Sequence, residues 1–219
     1  SPKDQTKAMG LTPSNHGVAR LFNAGLDDYS IYAVDLPGHG KSEGKSKSSI
    51  DEYSSDIIDF IDAMDLKNVC LVGHSMGAAI ALNASLNQHW RICSVVAIGG
   101  AGKMIVNDSI LEGLKNTFET TVDSIVKYSW HKKTGAIADS QLMAGYFREK
   151  AKQRILDAGS KTVHGDFLAC SKFDLTKRLE EIADPVLIIA SDCDRMVRSI
   201  KIRPWPFCSR ALFIAAFLK

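Results

Sequence analysis

The chain has 219 residues, 45% of them hydrophobic and 24% charged, which is typical of a globular domain that is long enough to bury a sizeable core. Its 27 basic and 25 acidic side chains are interspersed and give a net charge of +2, so we expect no nucleic-acid partner. The longest apolar run, residues 211–218, is too short for a membrane-spanning helix, and we expect no membrane partner.

The first predicted element is a strand at residues 29–34, which leads into the glycine-containing loop DLPGHGKSEG at residues 35–44. After this loop, Ser49 and Glu52 form an S-x-x-E capping box, which predicts the start of a helix. One apolar face of that helix is predicted to pack on a sheet, because apolar side chains recur at helical spacing. These side chains are Ile50, Tyr53, Ile57, Ile61 and Met64.

The next strand is short, apolar and rich in valine, and it ends in Gly73-His74-Ser75-Met76-Gly77 before an alanine-rich helix. Strand, G-x-S-x-G and helix in this order form a nucleophile elbow, in which a strained turn exposes the serine. Ser75 is therefore the predicted nucleophile. The backbone N–H of Met76, at the positive end of the helix, is predicted to bind the oxyanion that forms on a substrate.

A third buried strand is predicted at residues 92–98 and a fourth at residues 186–190, after Pro185. The segment between them has no clear strand, and its apolar residues recur at helical spacing. Residues 211–218 are compatible with a final strand or a helix stub. Short apolar strands that alternate with amphipathic helices predict an α/β fold, with a mostly parallel sheet covered by helices on both faces.

The DLPGHGKS loop and the GHSMG elbow together resemble the α/β-hydrolase fold superfamily, in particular its capped, esterase-like serine hydrolases. The resemblance implies a hydrolase core at residues 1–100 and 184–219 and a helical cap at residues 101–183, with the family pattern incomplete at both ends. The cap would close over Ser75. Its aromatic side chains are candidates for lining a substrate pocket, although each is also compatible with an ordinary core position: Trp130, Tyr146, Phe147 and Phe167.

A phosphate-binding loop is the rival interpretation of Gly40-Lys41-Ser42, which match the end of G-x-x-x-x-G-K-S. The first glycine of that motif is replaced by Asp35, and an acidic side chain there repels phosphate. The motif therefore does not indicate a nucleotide site.

The resemblance also implies a triad of serine, acid and histidine in this order along the chain. Residues 185–197 look like the acid loop of the family, and Asp194 takes the position of the triad acid, with Asp192 as the alternative. No histidine follows Asp194, although the family base belongs there. Among the upstream histidines, only His164 is a candidate substitute, and the chain is expected to be impaired in catalysis.

The second donor of the oxyanion hole is expected from a His-Gly loop that follows a buried strand in the family. His16-Gly17 is the candidate for this loop, and the N–H of Val18 would be the donor. Residues 1–15 are polar and predict no strand before it, so the alternative is an irregular N-terminal segment.

Five cysteines at irregular spacing favour reduced thiols, and the first 15 residues contain no apolar stretch of signal-peptide length. A cytoplasmic protein without a metal site or cofactor is expected. The cysteines are Cys70, Cys93, Cys170, Cys193 and Cys208.

The sequence therefore predicts a serine hydrolase that acts on a carboxylic ester or a similar small acyl substrate through an acyl-serine intermediate. The alternative is a noncatalytic hydrolase-fold binding protein or truncated pseudoenzyme, because the histidine is missing. Neither the substrate nor the oligomeric state follows from the sequence.

Overall fold

The computed structural model describes residues 7–11, 30–87, 90–100, 102–129, 140–191 and 213–218. Six strands in these ranges form one sheet in the order β2-β1-β3-β4-β5-β6, and every neighbouring pair is parallel. The strands are β1 (Lys7–Leu11), β2 (Ser30–Val34), β3 (Val69–His74), β4 (Ile92–Ile98), β5 (Val186–Ser191) and β6 (Phe213–Leu218).

Helices connect the strands, as parallel pairing requires. The described helices are α1 (Ile50–Ala63), α2 (Met76–Leu86), α3 (Asp108–Asn116), α4 (Phe118–Ser129), α5 (Ser140–Ala158) and α6 (Ser160–Lys172), with a 3₁₀ turn at Leu179–Glu181. The predicted capping box starts α1: the Glu52 backbone N–H donates to Ser49 Oγ at 3.3 Å, and Ser49 Oγ donates to Glu52 Oε2 at 2.9 Å. None of the helices in the described ranges is long and apolar enough to cross a membrane.

The predicted strands agree closely with the observed ones. The strand expected at residues 29–34 starts one residue later, β4 has the predicted bounds, and β5 extends one residue further than expected. The apolar run at residues 211–218 is compatible in sequence with either a strand or a helix, and it forms strand β6 from residue 213. The structure is thus an α/β fold, a parallel sheet with helices, as predicted.

The prediction for the N-terminal segment is wrong, because residues 7–11 form β1 in the middle of the sheet. This strand pairs with β2 on one side and β3 on the other, so that Leu11 is aligned with both Val34 and Gly73. Its sequence, KAMGL, contains a lysine and a glycine and is too short for an apolar pattern to stand out. The strand is held in place by hydrogen bonds to a neighbouring strand on each side. The propensities of its own five residues carry no sign of these bonds.

The main core lies where α1 and α2 pack on β3 and β4, and it includes Ile57, Leu71, Ile80 and Val95. Helix α2 is buried on all sides, as its alanine-rich sequence permits. A smaller cluster joins α3, α4 and α6 through Leu114, Ile125 and Val163, together with their partly buried neighbours.

Helix α6 contributes to both clusters, because Ala169 and Cys170 belong to the main core while Val163 belongs to the smaller cluster. The helices α3 to α6 all lie between β4 and β5 in the chain. The division into a core at residues 1–100 and 184–219 and a cap at residues 101–183 stays a prediction.

Two short segments form a neck where the helical insertion leaves and rejoins the sheet. The backbone N–H of Leu175 donates to the Gly102 carbonyl at 2.6 Å, and that of Met104 donates to the Phe173 carbonyl at 3.4 Å. Between them, Lys103 Nζ donates to Asp174 Oδ2 at 2.6 Å. This hydrogen bond and two from Thr176 lower the pKa of Asp174 well below its usual range.

Candidate active site

Ser75 lies at the turn between β3 and α2 in a backbone conformation that residues other than glycine rarely adopt, with φ 54° and ψ −118°. Backbone hydrogen bonds on both sides hold this turn. The Ser75 N–H donates to the Ile98 carbonyl at 2.9 Å, and the Ser75 carbonyl accepts from the N–H groups of Ala78 and Ala79 at 3.0 and 3.3 Å. The elbow geometry is therefore fixed by the neighbouring strand and by the helix that follows.

Two glycines provide the space that this tight turn needs. A Cβ on Gly73 would overlap the carbonyl of Gly77, and a Cβ on Gly100, just after β4, would overlap the Ala78 side chain. The same Gly100 Cβ would lie 3.2 Å from the Ser75 carbonyl oxygen. Strand β3, helix α2 and the segment after β4 that leads into the neck therefore meet at Ser75.

The start of α2 is suited to stabilising negative charge beside Ser75. Met76 is the first residue of the helix, and its backbone N–H has no acceptor within the helix. The helix has no acidic residue in its first turn, and the Ser75 side chain does not cap it. The positive end of the helix dipole is therefore not offset by a carboxylate of the helix itself. Ser75 itself is partly exposed.

The DLPGHGKS loop follows β2 at the same edge of the sheet, since Val34 is aligned with Leu11 and Leu11 with Gly73. Asp35 occupies the interior of this loop: its Oδ2 accepts from the Lys41 N–H at 3.1 Å. A Cβ on Gly40 would overlap the same carboxylate. A carboxylate therefore fills the place where a phosphate-binding loop would hold its ligand.

The structure describes only part of the predicted site. Ser75 and Met76 adjoin at the elbow as expected, and His74 beside them is exposed. The remaining predicted site residues lie outside the described ranges, and their roles stay predictions. They are Asp194 with its alternative Asp192, Val18, and His16-Gly17.

The candidate pocket-lining aromatics do not form one surface in the described part of the chain. Tyr146 and Phe147 are exposed on α5, whereas Phe167 packs partly buried against the smaller cluster. Trp130 lies outside the described ranges. His164, the substitute base considered above, is half-buried on α6.

Sequence reasoning missed a buried polar cluster beside this edge of the sheet. His39 Nε2 lies 2.8 Å from Asp166 Oδ2, and Tyr53 donates its hydroxyl hydrogen to Asp166 Oδ1 at 2.6 Å. His39 and Asp166 are 127 residues apart in the chain, and no local pattern connects them.

A sequence model described as the alpha/beta hydrolase family matches residues 9–215. The chain is 23% identical over 185 residues to 3-oxoadipate enol-lactonase 1 of Acinetobacter baylyi, which covers 83% of this chain and 68% of that protein. It is 35% identical over 97 residues to the dihydrolipoyllysine-residue acetyltransferase component of an acetoin cleaving system of Pseudomonas putida. That match covers 42% of this chain, and the chain spans only 26% of that protein.

Among solved structures, the esterase EaEST from Exiguobacterium antarcticum superposes with a TM-score of 0.77 at 20% identity. The match covers 98% of this chain and 83% of the esterase. At this level of identity the likeness shows a shared fold.

Proposed function

The chain belongs to the alpha/beta hydrolase family, and we propose that it hydrolyses carboxylic esters or similar small acyl compounds through an acyl intermediate on Ser75. The names of its relatives include an enol-lactonase and an esterase, and both reactions involve attack on an acyl carbon. The substrate is therefore a small molecule with an activated carbonyl group.

The conformation of Ser75 is the observation that carries this proposal. A serine with positive φ, partly exposed between a parallel strand and a helix N-terminus, is strained, and strained residues cluster at active sites. In the proposed reaction, Ser75 Oγ attacks the carbonyl carbon while its proton passes to a base. The oxyanion binds the Met76 N–H, the alcohol leaves with a proton, and water then releases the acid.

The topology supports the proposed partners of Ser75. Because all six described strands are parallel, their carboxyl ends meet at one edge of the sheet, where Ser75 also lies. Strand β1 ends at Leu11, five residues before His16, so a strand that is paired on both sides precedes the proposed oxyanion loop with Val18. Strand β5 ends at Ser191, three residues before Asp194, the proposed triad acid.

The base is the missing part of this mechanism, because none of the six histidines in these 219 residues follows Asp194. Without a base the serine hydroxyl is a poor nucleophile, while the proposed oxyanion donor still acts. We therefore propose that this polypeptide turns over esters slowly, and that free imidazole restores part of the rate by serving as the general base.

The test is hydrolysis of p-nitrophenyl acetate by the wild type and by Ser75→Ala, with and without imidazole. The Ser75→Ala protein reports the reaction of the ester with imidazole itself and with other surface groups. We expect a rate above that background which rises with imidazole and saturates. Equal rates for the two proteins at every imidazole concentration would leave a binding protein as the better interpretation. Fast turnover without imidazole that Ser75→Ala abolishes would show that the chain already contains a base.

A further inference from the structure

Three side chains form a buried cluster, here named the Asp166 cluster: His39, Tyr53 and Asp166. Their exposed fractions are 3%, 0% and 8%. The carboxylate of Asp166 accepts the Tyr53 hydroxyl hydrogen on one oxygen and faces His39 Nε2 with the other. The Tyr53 oxygen in turn accepts from the Lys47 N–H at 3.0 Å. A charged group is thus buried with a partner on each oxygen.

The Asp166 cluster joins three parts of the fold that are distant in sequence. His39 belongs to the loop after β2, Tyr53 to α1 and Asp166 to α6. Next to Asp166, a Cβ on Gly165 would lie 2.8 Å from Ser46 Oγ and 3.2 Å from the Lys47 carbonyl oxygen. Helix α6 therefore lies directly on this loop, and it also carries contacts to both hydrophobic clusters.

The two contacts of the His39 ring need two protons, one in each hydrogen bond. Nε2 faces the Asp166 carboxylate at 2.8 Å, and Nδ1 lies 3.1 Å from the Pro37 carbonyl oxygen, which can only accept. A neutral imidazole carries one N–H, so one of the two contacts would then set a lone pair against an oxygen. An imidazolium beside the carboxylate satisfies both contacts, and so does a neutral ring with a protonated Asp166 that donates to Nε2. The pair thus holds one proton more than neutral histidine beside carboxylate.

Two ionisable groups beside Asp166, Cys170 on α6 and Tyr53 on α1, have raised pKa values, and the loop contributes Lys47. From α6, burial and then the charge of Asp166 raise the pKa of Cys170 to about 12. From α1, burial and Asp166 raise the pKa of Tyr53 far above its usual value. From the loop, Lys47 faces away to an ion pair with Asp56 at 3.2 Å. The extra proton of the pair is therefore the one that can leave first as the pH rises.

We propose that the Asp166 cluster is a proton-dependent latch, which holds α6 on the loop after β2 while the extra proton is present and loosens the helix when it is lost. Because α6 is the last helix of the insertion, and the insertion follows Gly100 beside Ser75, the latch controls how firmly the insertion is held. This proposal concerns the fold and does not depend on the proposed ester hydrolysis.

The direction of the pH effect follows from His39. Burial is the largest influence and lowers the pKa of His39, but the hydrogen bond and charge of Asp166, with the backbone carbonyls, outweigh it and raise that pKa above 6.5. A raised histidine pKa stabilises the folded arrangement fully below 6.5, and this contribution is lost as the pH rises through the raised value. The latch is therefore closed at mildly acidic pH and loosened at alkaline pH.

Native-state hydrogen exchange tests the latch, with protection factors of the α6 peptide divided by those of the α2 peptide so that pH-dependent changes in global stability cancel. In the wild type we expect this ratio to fall about two- to tenfold from pH 6 to pH 9, the loss expected for one hydrogen bond. Asp166→Asn is the decisive variant. An asparagine can donate to Nε2 of a neutral His39 while still accepting from Tyr53, so all hydrogen bonds of the cluster can form at pH 9. At pH 6 the Nε2–H of an imidazolium would face the amide N–H₂ group, and that hydrogen bond is lost.

The predicted result for Asp166→Asn is thus a ratio that stays flat or rises with pH, the opposite of the wild type. Two matched controls, His164→Gln on α6 and Asp123→Asn in an exposed ion pair with Lys152, should keep the wild-type profile. A wild-type ratio that does not change with pH would overturn the proposal. The same holds if Asp166→Asn retains the alkaline loss, because the titrating group would then lie elsewhere.

Discussion

Gly73 and Gly77 approach each other so closely across the elbow that a Cβ on Gly73 would overlap the Gly77 carbonyl. Gly73→Ala should therefore force the strand and helix apart. We expect it to lower the free energy of unfolding by about 1–3 kcal/mol, the typical cost of overpacking. The control is Gly145→Ala on α5, where an added Cβ meets nothing within 4 Å and should be neutral or stabilising. Urea unfolding of both variants measures the difference. Equal stabilities would show that the elbow is looser than described.

The backbone strain at Ser75 predicts that removing the strain raises the stability of the protein. Glycine accepts positive φ without cost, so Ser75→Gly should raise the free energy of unfolding by about 1 kcal/mol or more, whereas Ser75→Ala keeps the Cβ and the strain. Neither variant retains the proposed nucleophile. Thermal unfolding of the two proteins side by side isolates the strain, and a Ser75→Gly protein no more stable than Ser75→Ala would argue against it.

Tyr53 is predicted to be required for stability through its hydroxyl group. Tyr53→Phe removes the donor to Asp166 Oδ1 and the acceptor of the Lys47 N–H, so buried polar groups lose their partner. We expect a loss of about 1–3 kcal/mol in the free energy of unfolding. Tyr146→Phe, on an exposed ring, should change it by less than about 0.5 kcal/mol. Denaturant unfolding compares them, and a neutral Tyr53→Phe would mean that water or another group replaces the hydroxyl.

The cap of α1 offers a local test of the same kind. Ser49→Ala removes the oxygen that accepts the Glu52 N–H and should cost about 1 kcal/mol. Ser124→Ala, in the exposed middle of α4, should be neutral or slightly stabilising since alanine has the higher helix propensity. Chemical denaturation reports both, and a cost that is the same at the two positions would contradict a specific role for the cap.

Cys170 is predicted to be unreactive in the folded protein. Its side chain is buried, and burial together with the charge of Asp166 raises its pKa to about 12, so almost no thiolate is present at pH 8. Iodoacetamide should leave Cys170 unmodified in the native state and label it fully in urea, while partly exposed Cys93 reacts earlier. Peptide mass spectrometry reads both sites. Rapid native labelling of Cys170 would show that α6 opens readily at this pH.

Local sequence patterns identified the elements that carry their own signals. The capping box predicted where α1 starts, and the apolar runs predicted four strands to within a residue or two. The family resemblance drawn from the elbow and the DLPGHGKS loop is confirmed. These predictions are possible because a cap, an elbow and a buried strand are each specified by residues that are close together in the chain.

Elements that depend on distant partners were not predictable in this way. Strand β1 is specified by the two strands beside it, and its five residues include both lysine and glycine. The contact of His39 with Asp166 depends on how α6 returns to the sheet after the whole helical insertion. Nothing near His39 in the chain indicates Asp166 as its partner.

The position of β1 has a consequence for assembly on the ribosome. Both of its neighbours are made after it, so the earliest of the described strands emerges with two open edges and gains its second neighbour only when residues up to His74 are available. Until then it is an exposed template for pairing with another chain. Deleting residues 7–11 would separate β2, with the His39 loop, from the rest of the sheet.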